Sequence, residues 1–219
     1  MDVDQDHSVA AGVEHVVTTA GRIDAVVACA GWGLAGAVEH TPTSEAQAQF
    51  DTNFWGAVRV VQQVLPAMRA QGGGRLVLVG SIGGIIGIPF QAFYSASKFA
   101  LEGYAESLAY EVSPFGVHVT VVEPGNVKTD FTASRRLVEP PANTPYAATV
   151  ARAIGKMEKD ETNGVPPTDV AAVVSKVLSA RRPPRRASVG SMDERVGIMA
   201  KRLIPYRLFE RAAKGSLGV

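Results

Sequence analysis

The sequence predicts an α/β protein in which helices cover both faces of a parallel β-sheet. Short, nearly continuous apolar runs of strand length alternate with longer segments whose apolar residues recur at helical spacing. Runs that are apolar on both sides are typical of strands buried inside a parallel sheet. Because the chain has no internal repeat and no linker long enough to divide it, this alternation predicts one domain over residues 1–219.

Each predicted helix is identified by apolar residues at helical spacing and by a glycine or proline near its end. The helices cover Ser8 to Ala20, about Thr43 to Gln71, about Phe93 to Ser113, about 145–160 and about 168–180. In the second helix, Pro66 predicts a kink or a break, because proline lacks the backbone donor that a helix interior needs.

The predicted strands are apolar runs bounded by turn residues. They cover 24–31, 75–81, 117–123 and, near the end of the chain, Arg186 to Val189. Glycine-rich loops follow the first two strands. Open parallel sheets bind their ligands beyond the carboxyl ends of the strands, so this edge is the expected location of a site.

The composition excludes several classes of protein. Lys and Arg total 22 against 21 Asp and Glu, so the formal net charge is +1 and nucleic acid is not an expected partner. The single cysteine, Cys29, cannot form an intrachain disulfide and gives no sign of an oxidising compartment. No apolar run approaches the ~20 residues of a membrane span, and the acidic N-terminus does not resemble a secretory signal. A cytoplasmic protein without a metal site is expected.

Tyr94 and Lys98 carry the strongest chemical signal. They are four residues apart and therefore share one face of the predicted helix. A phenol titrates near ~10, and a lysine ammonium a few ångströms away is expected to lower that pKa. Tyr94 is thus a candidate acid/base with Lys98 as its electrostatic partner. The alternative is a buried tyrosine and a surface lysine that share a face by chance.

Ser81 and Asn53 are two further candidates. Ser81 ends a predicted strand 13 residues before Tyr94, where its hydroxyl could hydrogen-bond a substrate carbonyl, or merely occupy a turn. Asn53 lies between apolar residues of the second helix, where asparagine is a poor helix former and needs hydrogen-bonding partners if buried. A surface asparagine is the alternative.

Several motifs in order resemble those of the short-chain dehydrogenase/reductase family, in its smaller single-domain branch. They are Asp2-Val3, Ala28-Cys29-Ala30-Gly31, Asn53 in Asp-Thr-Asn-Phe-Trp-Gly, Gly80-Ser81, Tyr94-Ser-Ala-Ser-Lys98 and Pro124-Gly125-Asn-Val127-Lys-Thr129. The resemblance implies a Rossmann-like, doubly wound parallel sheet. It also implies an oxidoreductase that uses NAD or NADP, with the choice between them left open.

The resemblance also implies a role for each residue. Tyr94 would be the catalytic acid/base, and Lys98 would hold the nicotinamide ribose and lower the Tyr94 pKa. Ser81 would polarise the substrate carbonyl, and Asn53 would support a water-linked proton relay. The residues expected to contact the cofactor are Asp2, Val3, Ala30, Gly31, Tyr94, Lys98, Pro124, Gly125, Val127 and Thr129.

Two features depart from the family pattern. Ala28 and Cys29 stand where the family has two asparagines, so the side-chain hydrogen bonds that brace the sheet in the family are lost. No glycine-rich turn of the form Thr-Gly-x-x-x-Gly-x-Gly occurs before Asp2, so the fold is expected to lack the family's first three strands. Three explanations of this absence are open: a gene start assigned too late, a truncated relative, or a sheet completed by another chain. These 219 residues are expected to bind NAD(P)H weakly or not at all, and the first strand is expected to have an open, apolar edge.

Three functions are therefore compared. The first is an oxidoreductase that interconverts an alcohol and a carbonyl. The second is an inert relative that cannot hold the dinucleotide and acts at most as a binding or scaffold protein. The third, a sugar-nucleotide epimerase, fits the Pro-Gly-x-Val-x-Thr motif poorly. The segment from Asp130 to about Gly164 favours a lipophilic substrate, because its apolar residues, Phe131, Leu137, Val138, Tyr146 and Ile154, outnumber any charges expected to face a ligand.

Two surface features point to partners. The helices over about 43–71 and 93–113, which form interfaces in the family, carry apolar residues on more than one stripe, so a homo-oligomer is expected.

Residues 181–219 form a basic tail with ten Lys or Arg against three Asp or Glu, and Pro205 divides its apolar pattern into two short amphipathic helices. The tail either rests on an anionic membrane surface or packs over the cleft with its charges solvated, and the second alternative is favoured.

Overall fold

The structure, a computed structural model, describes residues 1–217, with side chains through residue 215. The helices are α1 (Asp6–Ala20), α2 (Thr43–Phe50), α3 (Ala57–Ala70), α4 (Ala92–Val112), α5 (Phe131–Ser134), α6 (Ala147–Thr162), α7 (Pro167–Ser179), α8 (Met192–Leu203) and α9 (Tyr206–Leu217). The strands are β1 (Ala25–Ala28), β2 (Leu34–Ala35), β3 (Gly74–Val79), β4 (Val117–Pro124), β5 (Arg136–Leu137) and β6 (Arg186–Val189). Short 3-10 turns cover Val38–His40, Ile82–Gly84 and Ser113–Phe115.

The main sheet is parallel, with the strand order β1-β3-β4-β6 within the described residues. Ala25 pairs with Arg75, Gly74 with Val117, and Val121 with Arg186. The alternation of strands and helices confirms the predicted α/β class. β1 lies at the edge of this sheet within the described residues, as expected from its open, apolar edge. Its residues are half-buried or exposed rather than fully buried as its apolar run suggested, with Val27 38% exposed.

Helices cover both faces of the sheet, as a doubly wound fold requires. On one face α3 and α4 pack on the strands, and α1 packs on α3, around a core that includes Val61, Leu76 and Leu101. On the other face α7 covers Val77 and Val122 through Val177. The same strands are therefore apolar on both sides, which explains their continuous apolar sequence.

The second predicted helix is interrupted, but not at its proline. α3 runs through Pro66 without a break. Proline cannot donate a hydrogen bond to the carbonyl of Gln62, but Gln62 lies on the exposed side of the helix, where water can hydrogen-bond this carbonyl. The interruption is a π-helical turn over Asp51–Gly56, between α2 and α3. Such turns are rare and are often found at functional sites.

A small second sheet, which the sequence pattern did not predict, ties the segment after β4 to the body of the protein. β2 and β5 pair in parallel, and Arg136 N donates to Gly33 O over 2.9 Å. Farther along, Val127 and Val165 form a bridge. These contacts hold α5 and α6 over the carboxyl edge of the main sheet.

The predicted tail forms α8 and α9, with Pro205 between them, and its last two residues lie outside the described part of the chain. Ile198 of α8 and Phe209 of α9 are buried, so each helix packs with one face on the protein. Across residues 1–217, none of the helices is both long and apolar enough to cross a lipid bilayer.

Candidate active site

A cleft of about 730 Å³ opens at the carboxyl ends of β1, β3 and β4. The loops that follow these strands supply Gly31, Ser81 and the segment Pro124–Thr129, and the first turns of α4 supply Tyr94 and Lys98. The position agrees with the rule that open parallel sheets bind ligands beyond their strand ends. Residues that are far apart in the sequence therefore meet in one cleft.

Tyr94 and Ser81 both line this cleft. The Ser81 hydroxyl accepts from Gly83 N over 3.0 Å, and it lowers the pKa of the neighbouring Tyr94 phenol. Burial of the phenol has the larger effect and raises its pKa above the ordinary value. The expectation that Lys98 lowers the Tyr94 pKa is wrong for this structure, because the net shift is upward and Lys98 is not among its causes. The phenol is consequently protonated at neutral pH and able to donate.

Lys98 is buried rather than on the surface. Its Nζ donates to Val79 O over 2.8 Å and lies 6.0 Å from the centroid of the Tyr94 ring. Burial lowers the pKa of Lys98 from 10.5 to about 8. An ammonium has three donors, so Lys98 keeps donors for a ligand in the cleft.

Asn53 lies in the π-helical turn, where it is buried and holds the loop after β1. Its Oδ1 accepts from Trp32 N over 2.9 Å, and its Nδ2 donates to Trp32 O over 3.0 Å and to Ser97 Oγ over 3.3 Å. A side-chain carbon at Gly31 would lie 3.1 Å from Asn53 Oδ1 and 3.6 Å from Lys98 Nζ. Gly31 thus lets the backbone pass between Asn53 and Lys98, beside the cleft.

The turn after β4 is fixed by the first turn of α8. Glu194 accepts from Asn126 N over 2.7 Å and from Ser191 N over 2.7 Å, while Ser191 caps the helix. A side-chain carbon at Gly125 would lie 2.4 Å from a Glu194 carboxylate oxygen, so a larger residue there would displace this carboxylate. The tail therefore positions the loop that lines the cleft.

The structure brings most of the predicted cofactor residues together. Those lining the cleft are Gly31, Tyr94, Lys98, Pro124, Gly125, Val127 and Thr129. The cleft is not lined by Asp2, Val3 or Ala30. Asp2 is exposed, and the partly buried Val3 packs against Gly56 of the π-helical turn. The lining residues suit the nicotinamide half of a dinucleotide, because Lys98 and Tyr94 present donors beside a glycine-lined wall.

The apolar lining of the cleft differs from the expected one. Of the five apolar residues proposed between Asp130 and Gly164, only Phe131 lines the cleft, and Ile154 is buried in a separate core cluster. The apolar wall comes instead from one face of α7, through Val170, Val174 and Leu178. The helical spacing of these valines indicated a buried face but not what it faces.

Three side chains in or beside the cleft were not identified in the sequence analysis. Glu161 lines the cleft, Arg135 pairs with it, and Glu194 holds the turn after β4. The expectation that this segment presents few charges to a ligand is therefore wrong for Glu161. Only Glu194 had a local signal, since Ser191 and Glu194 form a capping box at a helix start.

Comparison with known proteins gives consistent matches. The family model described as short chain dehydrogenase matches residues 1–139. The chain is 39% identical to a 3-ketodihydrosphingosine reductase of Bacteroides thetaiotaomicron, over 98% of this chain and 80% of that relative. It is 38% identical to retinol dehydrogenase 8 of Bos taurus, over 85% of this chain and 61% of that relative.

Solved structures share the fold. A short-chain dehydrogenase from Streptomyces avermitilis, 29% identical, matches with a TM-score of 0.81 over 99% of this chain and 79% of that one. A short-chain dehydrogenase/reductase from Burkholderia phymatum, determined in complex with NAD, is 20% identical and matches with a TM-score of 0.79 over 97% of this chain and 75% of that one.

Proposed function

The chain belongs to the short-chain dehydrogenase family, and from this premise we propose that it is an oxidoreductase that interconverts an alcohol and a carbonyl with NAD or NADP. The observation that carries the proposal is that Ser81, the buried Tyr94 and Lys98 line one cleft at the carboxyl ends of the strands. In the direction of reduction, Tyr94 donates its proton to the carbonyl oxygen while the Ser81 hydroxyl hydrogen-bonds the same oxygen.

The cofactor supplies or accepts the hydride when it is bound. Lys98 and Tyr94 would hold its ribose, and the segment Pro124–Thr129 would line the nicotinamide. This assignment is supported by the family and by the donors that Lys98 retains beside Gly31. The single domain over residues 1–219, with the tail as part of it, and the cytoplasmic location expected from the composition stay predictions.

We further propose a lipophilic substrate. The support is the apolar wall formed by α7 together with Ile82, Ile88 and Phe131. Relatives whose names refer to a ketodihydrosphingosine and to retinol agree with this class.

The proposed activity is tested by consumption of NADH and NADPH in the presence of long-chain ketones, followed by nicotinamide absorbance. Because weak cofactor binding is expected from the sequence, the assay uses each cofactor at saturating concentration. Consumption with one of the two cofactors is then expected, and it should increase with the chain length of the ketone. Absence of cofactor binding in a fluorescence titration, together with absence of turnover, would instead support an inert relative.

An aromatic cluster on the surface supports a homo-oligomer. Phe54 contacts both Trp55 and Tyr104, and Trp55 is 52% exposed at the end of the π-helical turn. We expect light scattering at micromolar concentration to give a dimer or a larger assembly, because removing an exposed indole and the partly buried aromatic rings beside it from water is favourable. Trp55→Glu should shift the protein toward the monomer. A wild-type monomer would contradict this proposal.

The outer face of α8 carries an apolar stripe. Met192, Val196, Met199 and Leu203 recur at helical spacing and are 54–76% exposed. Arg195 and Arg202 of α8 and Arg207 of α9 are also exposed, against one exposed acidic residue of α8, Asp193. Although α8 and α9 pack on the protein with their inner faces, the apolar stripe with basic flanks is complementary to an anionic lipid surface, and we propose that it rests there.

This proposal predicts co-sedimentation with vesicles that contain an anionic phospholipid, and none with zwitterionic vesicles. Removing two cations with Arg195→Gln/Arg202→Gln should weaken binding about tenfold or more, since each contributes ~1 kcal/mol near such a surface. Salt should also weaken binding, because the Debye length is about 10 Å at 0.1 M.

Met199→Asp should likewise prevent binding to the anionic vesicles, and Tyr110→Asp, at an exposed aromatic residue of α4, is the matched control. Failure of the wild type to bind anionic vesicles at low salt would refute the membrane proposal.

A further inference from the structure

The cleft contains one acidic side chain that the proposed reaction does not use. Glu161, near the end of α6, lines the cleft together with Tyr94 and Phe131. Lys98 is the other charged residue in the lining, and the proposed function assigns it to the cofactor. The rest of the described lining is apolar or uncharged. A carboxylate in such a cleft is costly unless it is paired and hydrogen-bonded.

Two neighbours hold Glu161 in place. Arg135 pairs with its Oε1 through Nη2, and Thr132 donates to its Oε2 over 2.6 Å. The Arg135 side chain is 3% exposed and that of Glu161 13%. The pair therefore forms a built feature of the cleft rather than a surface ion pair.

The remaining capacity of Glu161 is that of an acceptor. A carboxylate has about four lone-pair positions and no donor, and two of these positions are occupied here. Arg135 does not line the cleft, so the acidic member of the pair is the one presented to a ligand.

The charge of Glu161 reaches the reacting group. It raises the pKa of the Tyr94 phenol, and this effect exceeds the opposing effect of Arg135. The negative member of the pair thus dominates the potential beside Tyr94, where the carbonyl of a substrate would lie.

We infer that Glu161 selects substrates that carry a hydrogen-bond donor, an ammonium or a hydroxyl group, near the carbonyl that reacts at Tyr94. This inference rests on the proposed function and narrows it. The preferred substrate is an amphiphile whose polar head meets Glu161 while its apolar chain lies along α7.

The test is calorimetric binding of three ketones of equal chain length to the full chain: an α-amino ketone, an α-hydroxy ketone and a ketone with neither group. The wild type should bind at least one of the first two about tenfold or more tightly than the third, as expected for a hydrogen bond to a charged group. The ratio between the amino and hydroxy ketones identifies the preferred donor.

Two variants assign the preference to this carboxylate. Glu161→Gln should remove most of it, because a neutral amide oxygen is a weaker acceptor than a carboxylate. Because that variant leaves the buried Arg135 without its charged partner, the double variant Arg135→Met/Glu161→Leu, which replaces the whole pair by apolar side chains, is measured beside it. The double variant should bind the three ketones equally. Glu158→Gln, at an exposed position of the same helix, is the control.

Equal binding of the three ketones by the wild type would overturn the inference, as would a preference that persists in the double variant. Binding requires no turnover, so the outcomes are separable from those of the proposed function. Turnover without a preference among the three ketones would contradict the role of Glu161 but not the proposed reaction. A Glu161-dependent preference without turnover would contradict the reaction and support the role of Glu161.

Discussion

Replacing Tyr94 by phenylalanine should reduce turnover to a few per cent of the wild-type rate or less. The substitution removes the hydroxyl that donates the proton, and general acid catalysis contributes about 10²–10⁴-fold to such reactions. The ring keeps its volume and its contact with Phe131, at 5.9 Å between the ring centroids. The folded state should therefore be retained, which circular dichroism and thermal unfolding would check.

Tyr104→Phe is the matched control for this variant. Tyr104 lies on the same helix, partly buried against Phe54, and burial raises its pKa to about 12. It does not line the cleft, so removing its hydroxyl should leave the rate close to that of the wild type. A Tyr94→Phe enzyme that keeps more than a few per cent of the rate would show that the proton comes from another group.

Replacing Lys98 by methionine should remove activity and yet stabilise the ligand-free fold at neutral pH. Burial lowers the pKa of Lys98 from 10.5 to about 8. Between these values the unfolded chain binds more protons than the folded chain, so wild-type stability rises with pH through this window. At pH values below this window, the free-energy cost of burying the ammonium is constant and amounts to about 3 kcal/mol at most.

Lys98→Met removes that cost but also the hydrogen bond to Val79 O, which is worth about 1 kcal/mol. A net gain of about 2 kcal/mol in the free energy of unfolding is therefore expected near pH 7, because loss of the hydrogen bond offsets about 1 of the roughly 3 kcal/mol that burial of the ammonium costs. Urea unfolding at about pH 7 and about pH 9.5 measures it, and the gain should shrink at the higher pH. Lys176→Met, at an exposed position of α7, is the control. A Lys98→Met protein less stable than the wild type at neutral pH would contradict this expectation.

Much of the fold was predictable from local sequence alone. The strands and most helices were recognised within a few residues, because burial on both faces produces continuous apolar runs and one-sided burial produces helical spacing. Arg186 to Val189 and the two tail helices around Pro205 are examples. The π-helical turn at Asp51–Gly56 and the pairing of β2 with β5 were not predictable, because short irregular elements have no sequence period.

The sequence by itself determined the parallel α/β fold and identified the residues proposed to do the chemistry, since Tyr94, Lys98, Ser81 and Asn53 lie in recognisable local motifs. The tertiary structure decided their electrostatics. The pKa of Tyr94 is raised rather than lowered because the phenol is buried, and Lys98 is desolvated beside Val79. It also decided that Glu161, unremarked in the sequence, faces the cleft. Desolvation and charge–charge interactions depend on which distant segments pack around a group, and a local sequence pattern does not contain that information.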